Sequence, residues 1–147
     1  TNKAFTEDGW LRTNDLACQD KKGRFYIKGR LNNMILGSSG ENIYPEEIEK
    51  VINGIEDINE SIVLERDGRL VAFVQYNDNI INWDQEGEDE FFQMLENRKK
   101  AILTYVNKKV SSFSKLQEII VLKEPFERTA TQKIRRFKYK TYNIRNK

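Results

Sequence analysis

A chain without a single histidine has no imidazole for acid–base chemistry, which turns attention to lysine, arginine, carboxylates and the backbone itself. Two stretches concentrate such groups. "GRLNNMILGSSGENIYPEEIEKVING", residues 29–54, runs from an arginine through an apolar turn and a loop of small residues into a strongly marked helix start. In that loop Gly37 and Gly40 permit backbone conformations and close approaches that a Cβ would obstruct, and Ser38, Ser39, Glu41 and Asn42 supply polarity. A Gly/Ser loop before a helix is, taken alone, only a tight connection. The second stretch, "RTATQKIRRFKYKTYNIRNK" from Arg128 to Lys147, has eight Lys/Arg and no acid, whereas "DQEGEDEFF" at 84–92 is acidic. The formal net charge of +2 conceals that asymmetry. By charge alone the basic tail reads as a solvated face that attracts anions without specifying one.

The elements that must position these groups are those of an α+β domain: a small mixed or antiparallel sheet with a hairpin, flanked by about three helices. The length of 147 residues is one domain's worth, and 33% charged residues suit a surface-rich chain. "GRFYIKG" (23–29) reads as a strand after the turn-like "DKKG", and "NMILG" (33–37) is a second apolar run. "SIVLERDGRLVAFVQY" (61–76) holds two β-rich runs joined at Asp67-Gly68, the strongest hairpin signal present, and "EIIVLKE" (118–124) is another strand. Pro45 suits a first helical position, with Glu46, Glu47 and Glu49 complementing the positive end of the helix dipole. Ile48, Val51, Ile52 and Ile55 recur at i, i+3, i+4 and i+7, and Asn53-Gly54 supplies the stop. A long amphipathic helix is expected over 88–110, marked by Phe91, Leu95, Ile102, Val106 and Val110, and a last helix from near Thr131.

No apolar run is long enough to span a membrane, and no signal-peptide layout opens the chain, which begins "TNKAFTEDGW" rather than with Met. A fragment of a longer protein is expected. The lone Cys18 excludes an internal disulfide framework and suits a reducing, cytoplasmic setting. The absence of histidine removes every His-containing zinc site, and no residue is assigned to a metal.

Three blocks then stand in register: "DGWLRTNDLACQDKKGRFYIKGR" (8–30), the stretch beginning at Gly29, and "EPFERTATQKIRRFKYK" (124–140). In this order and spacing they resemble the C-terminal signature motifs of the adenylate-forming (AMP-dependent) synthetases, most closely the long-chain fatty-acid–CoA ligases. The resemblance covers residues 8–140.

What that resemblance implies can be carried over residue by residue. Asp15 matches the aspartate that accepts hydrogen bonds from the ribose hydroxyls of the nucleotide, and Arg30 the arginine that contacts its phosphate or ribose. Lys133 matches the catalytic lysine that reaches the α-phosphate and the carboxylate during adenylation, where a compact cation relieves the repulsion of two anions. Asn32 falls at the hinge, and Gly37, Ser38, Ser39, Gly40, Glu41 and Asn42 fall in the loop implied to line the tunnel for the pantetheine arm of CoA. Residues 1–31 are then the remnant of the end of a large N-terminal adenylation domain, and 32–147 are a mobile C-terminal domain.

The implied whole enzyme joins a fatty acid to CoA with ATP and Mg²⁺, the last two bound mainly by its own N-terminal domain; the fragment by itself is expected to be inactive. The resemblance leaves room for peripheral membrane association of the whole enzyme. An adenylation enzyme delivering acyl groups to a carrier protein is the alternative within the family. Outside it stands a basic nucleic-acid-binding module using Phe137, Tyr139 and Tyr142, and no nucleic-acid partner is expected on the favoured reading. Three departures stand out: Asn14 occupies a position where the family commonly has glycine, Asn32 and Asn33 replace a Lys/Asp-type pair, and Gln132 replaces a frequent glycine before the lysine.

Overall fold

The alternation of apolar residues through "SIVLERDGRLVAFVQY" becomes a hairpin of β5 (Ile58–Arg66) and β6 (Arg69–Tyr76), turning at Asp67 and Gly68 with φ of 52° and 76°. Paired positive φ values make a turn whose twist matches that of the strands, which is why Asp-Gly succeeds here. β7 (Glu118–Val121) adds in parallel to β6, so the order β5-β6-β7 is a mixed three-stranded sheet. The structure, a computed structural model, describes residues 2–143. The end of the basic tail, 144–147, lies outside the described residues.

Period-2 alternation gives this sheet two apolar faces. On one, Val63, Ala72, Val74 and Ile119 pack against Ile48 and Ile52 of α1 (Pro45–Asn53) and Ile102 and Val106 of α2 (Asp89–Asn107). On the other, Ile62, Leu64, Val71, Phe73 and Ile120 meet Leu122, Phe126 and Tyr139 from the C-terminal segment. Phe73, Ile48, Ile52 and Val106 are fully buried, each contributing roughly 1.5–3 kcal/mol of transfer free energy. Packing therefore holds the layers together. α1 and α2 fall within the expected spans, with Pro45 at the first helical turn.

Two smaller strand pairs precede the main sheet. β1 (Asp15–Gln19) pairs antiparallel with β2 (Phe25–Arg30), and β3 (Ile35–Leu36) with β4 (Asn42–Ile43). β1 was not among the expected strands: "DLACQ" has one half-buried residue and four exposed ones, so it lacks the alternation that marks a strand facing a core.

The last helix is a correction. It does not begin near Thr131; α3 is a single turn, Phe137–Lys140. Residues 128–134 instead close as a loop, with an antiparallel bridge between Arg128 and Ile134 and the Thr129 N–H donating to the Lys133 carbonyl at 2.8 Å. Gln132, at φ 65°, interrupts any helix there. Tyr139 is buried against Phe73 and Phe126, with Tyr142 stacked on it, so of the three tail aromatics only Phe137 is well exposed. Tyr139 and Tyr142 thus turn their rings to the core side and leave Phe137 as the exposed ring of the three.

One ion pair ties the two faces together. Glu49, on α1 and 7% exposed, receives Arg136 at 2.6 Å and the Val63 N–H at 2.9 Å. Burial pushes its carboxyl upward, opposed first by the charge of Arg136 and then by the Val63 N–H.

Two stability outcomes are expected. Glu49→Ala strands a partly buried guanidinium and a buried N–H and should cost about 3 kcal/mol in urea unfolding, with a Glu49→Ala/Arg136→Ala double variant costing clearly less than the sum of the singles. Gln132→Gly should relieve a left-handed backbone and raise stability by about 0.5–1 kcal/mol in the same assay, after allowing for the freer unfolded chain. A loss of stability in Gln132→Gly would show that its backbone is not strained.

Candidate functional site

Asp15 opens β1 and Arg30 closes β2, and the strand register sets them opposite each other. Arg30 Nε lies 3.1 Å from Asp15 Oδ1, and Arg30 Nη1 donates to the Thr13 carbonyl at 3.4 Å. The two residues assigned to the nucleotide from separate parts of one motif are thus a cross-strand pair with both side chains partly solvent-exposed. Between them the chain needs an abrupt turn into β1. Asn14 supplies it at φ 60°, and its carbonyl accepts the Leu31 N–H at 2.8 Å. Both departures from glycine, Asn14 and Gln132, therefore sit at left-handed backbone positions, the conformation glycine adopts most readily.

Asn32 lies in a 3₁₀ turn, Leu31–Asn33, directly after β2. Its exposed side chain faces solvent, whereas Asn33 donates from Nδ2 to Glu46 Oε1 at 2.8 Å. The same oxygen accepts the Arg30 N–H at 3.0 Å. Lys28 Nζ reaches Glu47 at 2.8 Å, so two carboxylates of the first turn of α1 hold the β1–β2 hairpin and the 3₁₀ turn.

The loop from Gly37 to Asn42 is the connection between β3 and β4. The Gly37 N–H donates to the Glu41 carbonyl at 2.8 Å and the Gly40 N–H to the Gly37 carbonyl at 3.0 Å. Gly40, at φ 87°, requires glycine for its backbone, since a Cβ there would meet open space. At Gly37 the matter is room: a Cβ would lie 2.9 Å from Glu41 Oε2, the end of a flexible side chain, and 3.3 Å from Ile43 Cδ1, a tight contact. Ile43, 4% exposed, anchors the loop's end in the core, while Ser38, Ser39, Gly40 and Asn42 are exposed.

Lys133 projects from the 128–134 loop, whose two ends are fixed. Arg128 pairs with Glu60 on β5 and donates from Nη1 to the Gln132 carbonyl at 2.9 Å; Ile134 packs against the second core face. The Lys133 N–H donates to Thr129 Oγ1 at 3.2 Å, but among the described residues no carboxylate pairs with its exposed ammonium.

The fold brings distant residues to one cleft. A cavity of about 640 Å³ is lined by Asn14, Arg30 and Asn32 from one end of the chain, by Glu60 of β5, and by Arg128 and Lys133 from near the other end. Asp15 does not line it; it pairs with Arg30 and, with that residue, lines another cavity beside Lys28 and Glu47. A neighbouring cavity of about 660 Å³ is lined by Asn32, Leu36, Lys133 and Phe137. Leu36 precedes the 37–42 loop, but the loop's own residues line neither cavity. Among the described residues lining the first cavity, Arg30, Arg128 and Arg136 pair with Asp15, Glu60 and Glu49, whereas Lys133 has no carboxylate partner. A fork of donors on Arg30, a carboxylate on Asp15 and a mobile ammonium are together suited to a nucleotide. No metal site accompanies them: among the described residues no group of three or more Cys, Asp or Glu is placed to hold an ion.

Sequence reasoning missed the supporting residues Glu46, Glu49, Glu60, Arg128 and Arg136. From sequence alone Glu46 and Glu49 bear only on the helix dipole. Their i,i+3 spacing, which sets both on one side of α1 beside the apolar face, was the available signal.

No protein-family model matches the chain. Over 78 residues, 50% of the chain, it is 44% identical to the long-chain-fatty-acid–CoA ligase FadD13 of Mycobacterium tuberculosis, covering 15% of that protein. It is 33% identical over 140 residues, 95% of the chain, to the 2-succinylbenzoate–CoA ligase of Listeria innocua, covering 27% of it. A solved Mycobacterium tuberculosis fatty acyl CoA synthetase superposes with a TM-score of 0.59 at 30% identity, over 95% of this chain and 25% of that one. The chain thus spans 15–27% of the length of these two curated relatives. With the three motif blocks folded as a strand pair closed by Asp15 and Arg30, a turn with the loop after it, and a lysine loop, and with a relative of this kind matching 95% of its length, the chain belongs to the adenylate-forming synthetase family and carries the motifs of its C-terminal domain.

Proposed function

We propose that this chain is the mobile C-terminal part of an ATP-dependent acid–thiol ligase, one that adenylates a carboxylate and then passes the acyl group to CoA. The observation that carries the reading is the single cleft in which Arg30 and Asn32 meet Lys133, although one strand pair and one distant loop supply them. The CoA ligases among its relatives favour CoA over a carrier protein as the acceptor.

Each residue then has a defined task. Asp15 accepts the ribose hydroxyls, and Arg30, held by the same carboxylate, offers its remaining donors to the nucleotide. Attack of a carboxylate on the α-phosphorus brings two anions together and expels pyrophosphate. Lys133, on a loop fixed at both ends and itself unpaired among the described residues, places one positive charge where that repulsion peaks. ATP and Mg²⁺ are assigned mainly to the large N-terminal domain. In the second step the CoA thiolate displaces AMP from the acyl-adenylate, and the loop Gly37–Asn42, with its exposed glycine and serines, is assigned to the path of the pantetheine arm.

The large domain is also the proposed partner of the N-terminal residues. Trp10, Phe25 and Ile27 are 72%, 71% and 69% exposed, an apolar surface that water disfavours and that a covering domain would relieve. Residues 1–31 are accordingly assigned to the end of that domain and 32–147 to the part that swings about Asn32. The acyl group is proposed to be a long-chain fatty acid, supported by "LGSSGENIYP", by "EPF" before the final motif and by the bulky residue preceding Lys133. Comparing fatty acids with 2-succinylbenzoate as substrates of the full-length enzyme tests that assignment. Cytoplasmic operation fits the exposed thiol of Cys18.

In the full-length enzyme Lys133→Ala should slow acyl-adenylate formation by roughly 100-fold or more while largely sparing thioester formation from supplied acyl-AMP. Single-turnover measurement of each half-reaction decides it; equal losses would remove Lys133 from the first step. Asn32→Pro fixes φ near −65° and deletes an N–H, and it should retain one half-reaction while losing most of the other. A well-folded Asn32→Pro enzyme with both rates near wild type would place the hinge elsewhere.

A further inference from the structure

Glu46 has no task in the chemistry above, yet it stands where the strand pair, the 3₁₀ turn and α1 meet. Its Oε1 accepts both the Arg30 N–H at 3.0 Å and Asn33 Nδ2 at 2.8 Å, so one oxygen grips the two ends of the Leu31–Asn33 turn. Its Oε2 is buried without a hydrogen-bond partner. The approach depends on residue 29 being glycine, because a Cβ there would lie 2.9 Å from Glu46 Cδ. Gly29 has an ordinary backbone φ, so its need is for space alone.

The two oxygens act in opposite directions. Hydrogen bonds to an ionised acceptor are strong, which favours the gripped arrangement. A buried oxygen with no donor carries a desolvation cost, which favours release into water. A carboxylate satisfied on both oxygens would lock the turn; one satisfied on a single oxygen holds it and can let go. Because Glu46 lies in the first turn of α1, whose apolar face is fully buried, its position moves with the main sheet rather than with the β1–β2 hairpin.

We propose that Glu46 is the latch of the hinge, a positioning residue that holds residues 30–33 as seen here and so biases the C-terminal domain towards one of its two orientations. This rests on the hinge assignment proposed above. When the turn rotates, the Arg30 N–H and the Asn33 amide leave Oε1, and Oε2 gains water. The latch therefore sets the ratio of the two half-reactions without touching either substrate.

The test is made in the full-length enzyme, by single-turnover rates of adenylation and of thioester formation from supplied acyl-AMP. Glu46→Ala should shift the ratio of the two rates by about 10-fold, within the usual span of conformational coupling. Gly29→Ala, which expels the carboxylate from the other side, should shift it in the same direction, and the double variant should shift it no further because both remove one contact. Asn33→Ala removes only half the grip and should give a smaller shift of the same sign, which serves if either larger change prevents folding. A residue that is merely structural would lower both rates together and leave the ratio unmoved. A folded Glu46→Ala or Asn33→Ala enzyme with the wild-type ratio overturns the latch, as does full additivity of Glu46→Ala and Gly29→Ala. Asn32→Pro measured alongside separates the two ideas: if it leaves both half-reactions intact the hinge assignment has failed and the latch falls with it, whereas if it uncouples them and Glu46→Ala does not, the latch alone has failed.

Discussion

The carboxylates of one short helix hold this molecule's parts in register. Glu46 reaches back to the end of β2 and the turn after it, Glu47 to Lys28, and Glu49 to both the Val63 N–H and Arg136. The apolar face of α1 is buried by Ile48 and Ile52, so the helix is fixed to the sheet independently of these contacts. Burial supplies the energy and the carboxylates supply the address. Glu49 is the most constrained of them, because a buried carboxylate with no cation would not be tolerated and Arg136 comes from the far end of the chain.

That constraint explains where Lys133 can be. Arg136 is fixed to α1, Ile134 is packed under the sheet, and Arg128 is held on β5 by Glu60, so the loop between them has little freedom in its ends. A lysine at its tip keeps a flexible stem on a fixed base. On the proposed reading, such a base would deliver a cation to a site built mostly elsewhere and withdraw it if the domain turned.

The N-terminal strand pair has the opposite character. β1 and β2 are exposed on most of their surface, and Phe25 and Ile27 point an apolar row away from the core. Only the last residues of β2 are tied to α1, through the Arg30 N–H and Lys28. The molecule is thus firmly built from residue 33 onward and lightly attached before it, with the light attachment concentrated in a few hydrogen bonds at the turn. A hinge needs that distribution of stiffness.

How far the sequence by itself determined this protein follows from which signals are local. The hairpin at Asp67-Gly68, the start of α1 at Pro45 and the amphipathic α2 were legible because turn chemistry, a missing N–H and a repeating apolar face act within a few residues. The family was legible because three motif blocks keep their order and spacing along the chain. β1 was not legible, since its side chains face no core of this chain, and the last helix was misplaced because a bridge from Arg128 to Ile134 overrides the helical preference of the residues between them. The roles of Glu46 and Glu49 were hidden for the same reason: a carboxylate in a helix's first turns satisfies the dipole in any fold, and only the tertiary structure brings Arg30, Asn33 and Arg136 within hydrogen-bonding reach. Local chemistry names the elements and the candidate residues; which of them share a cleft is decided by contacts between segments that the chain's order alone does not relate.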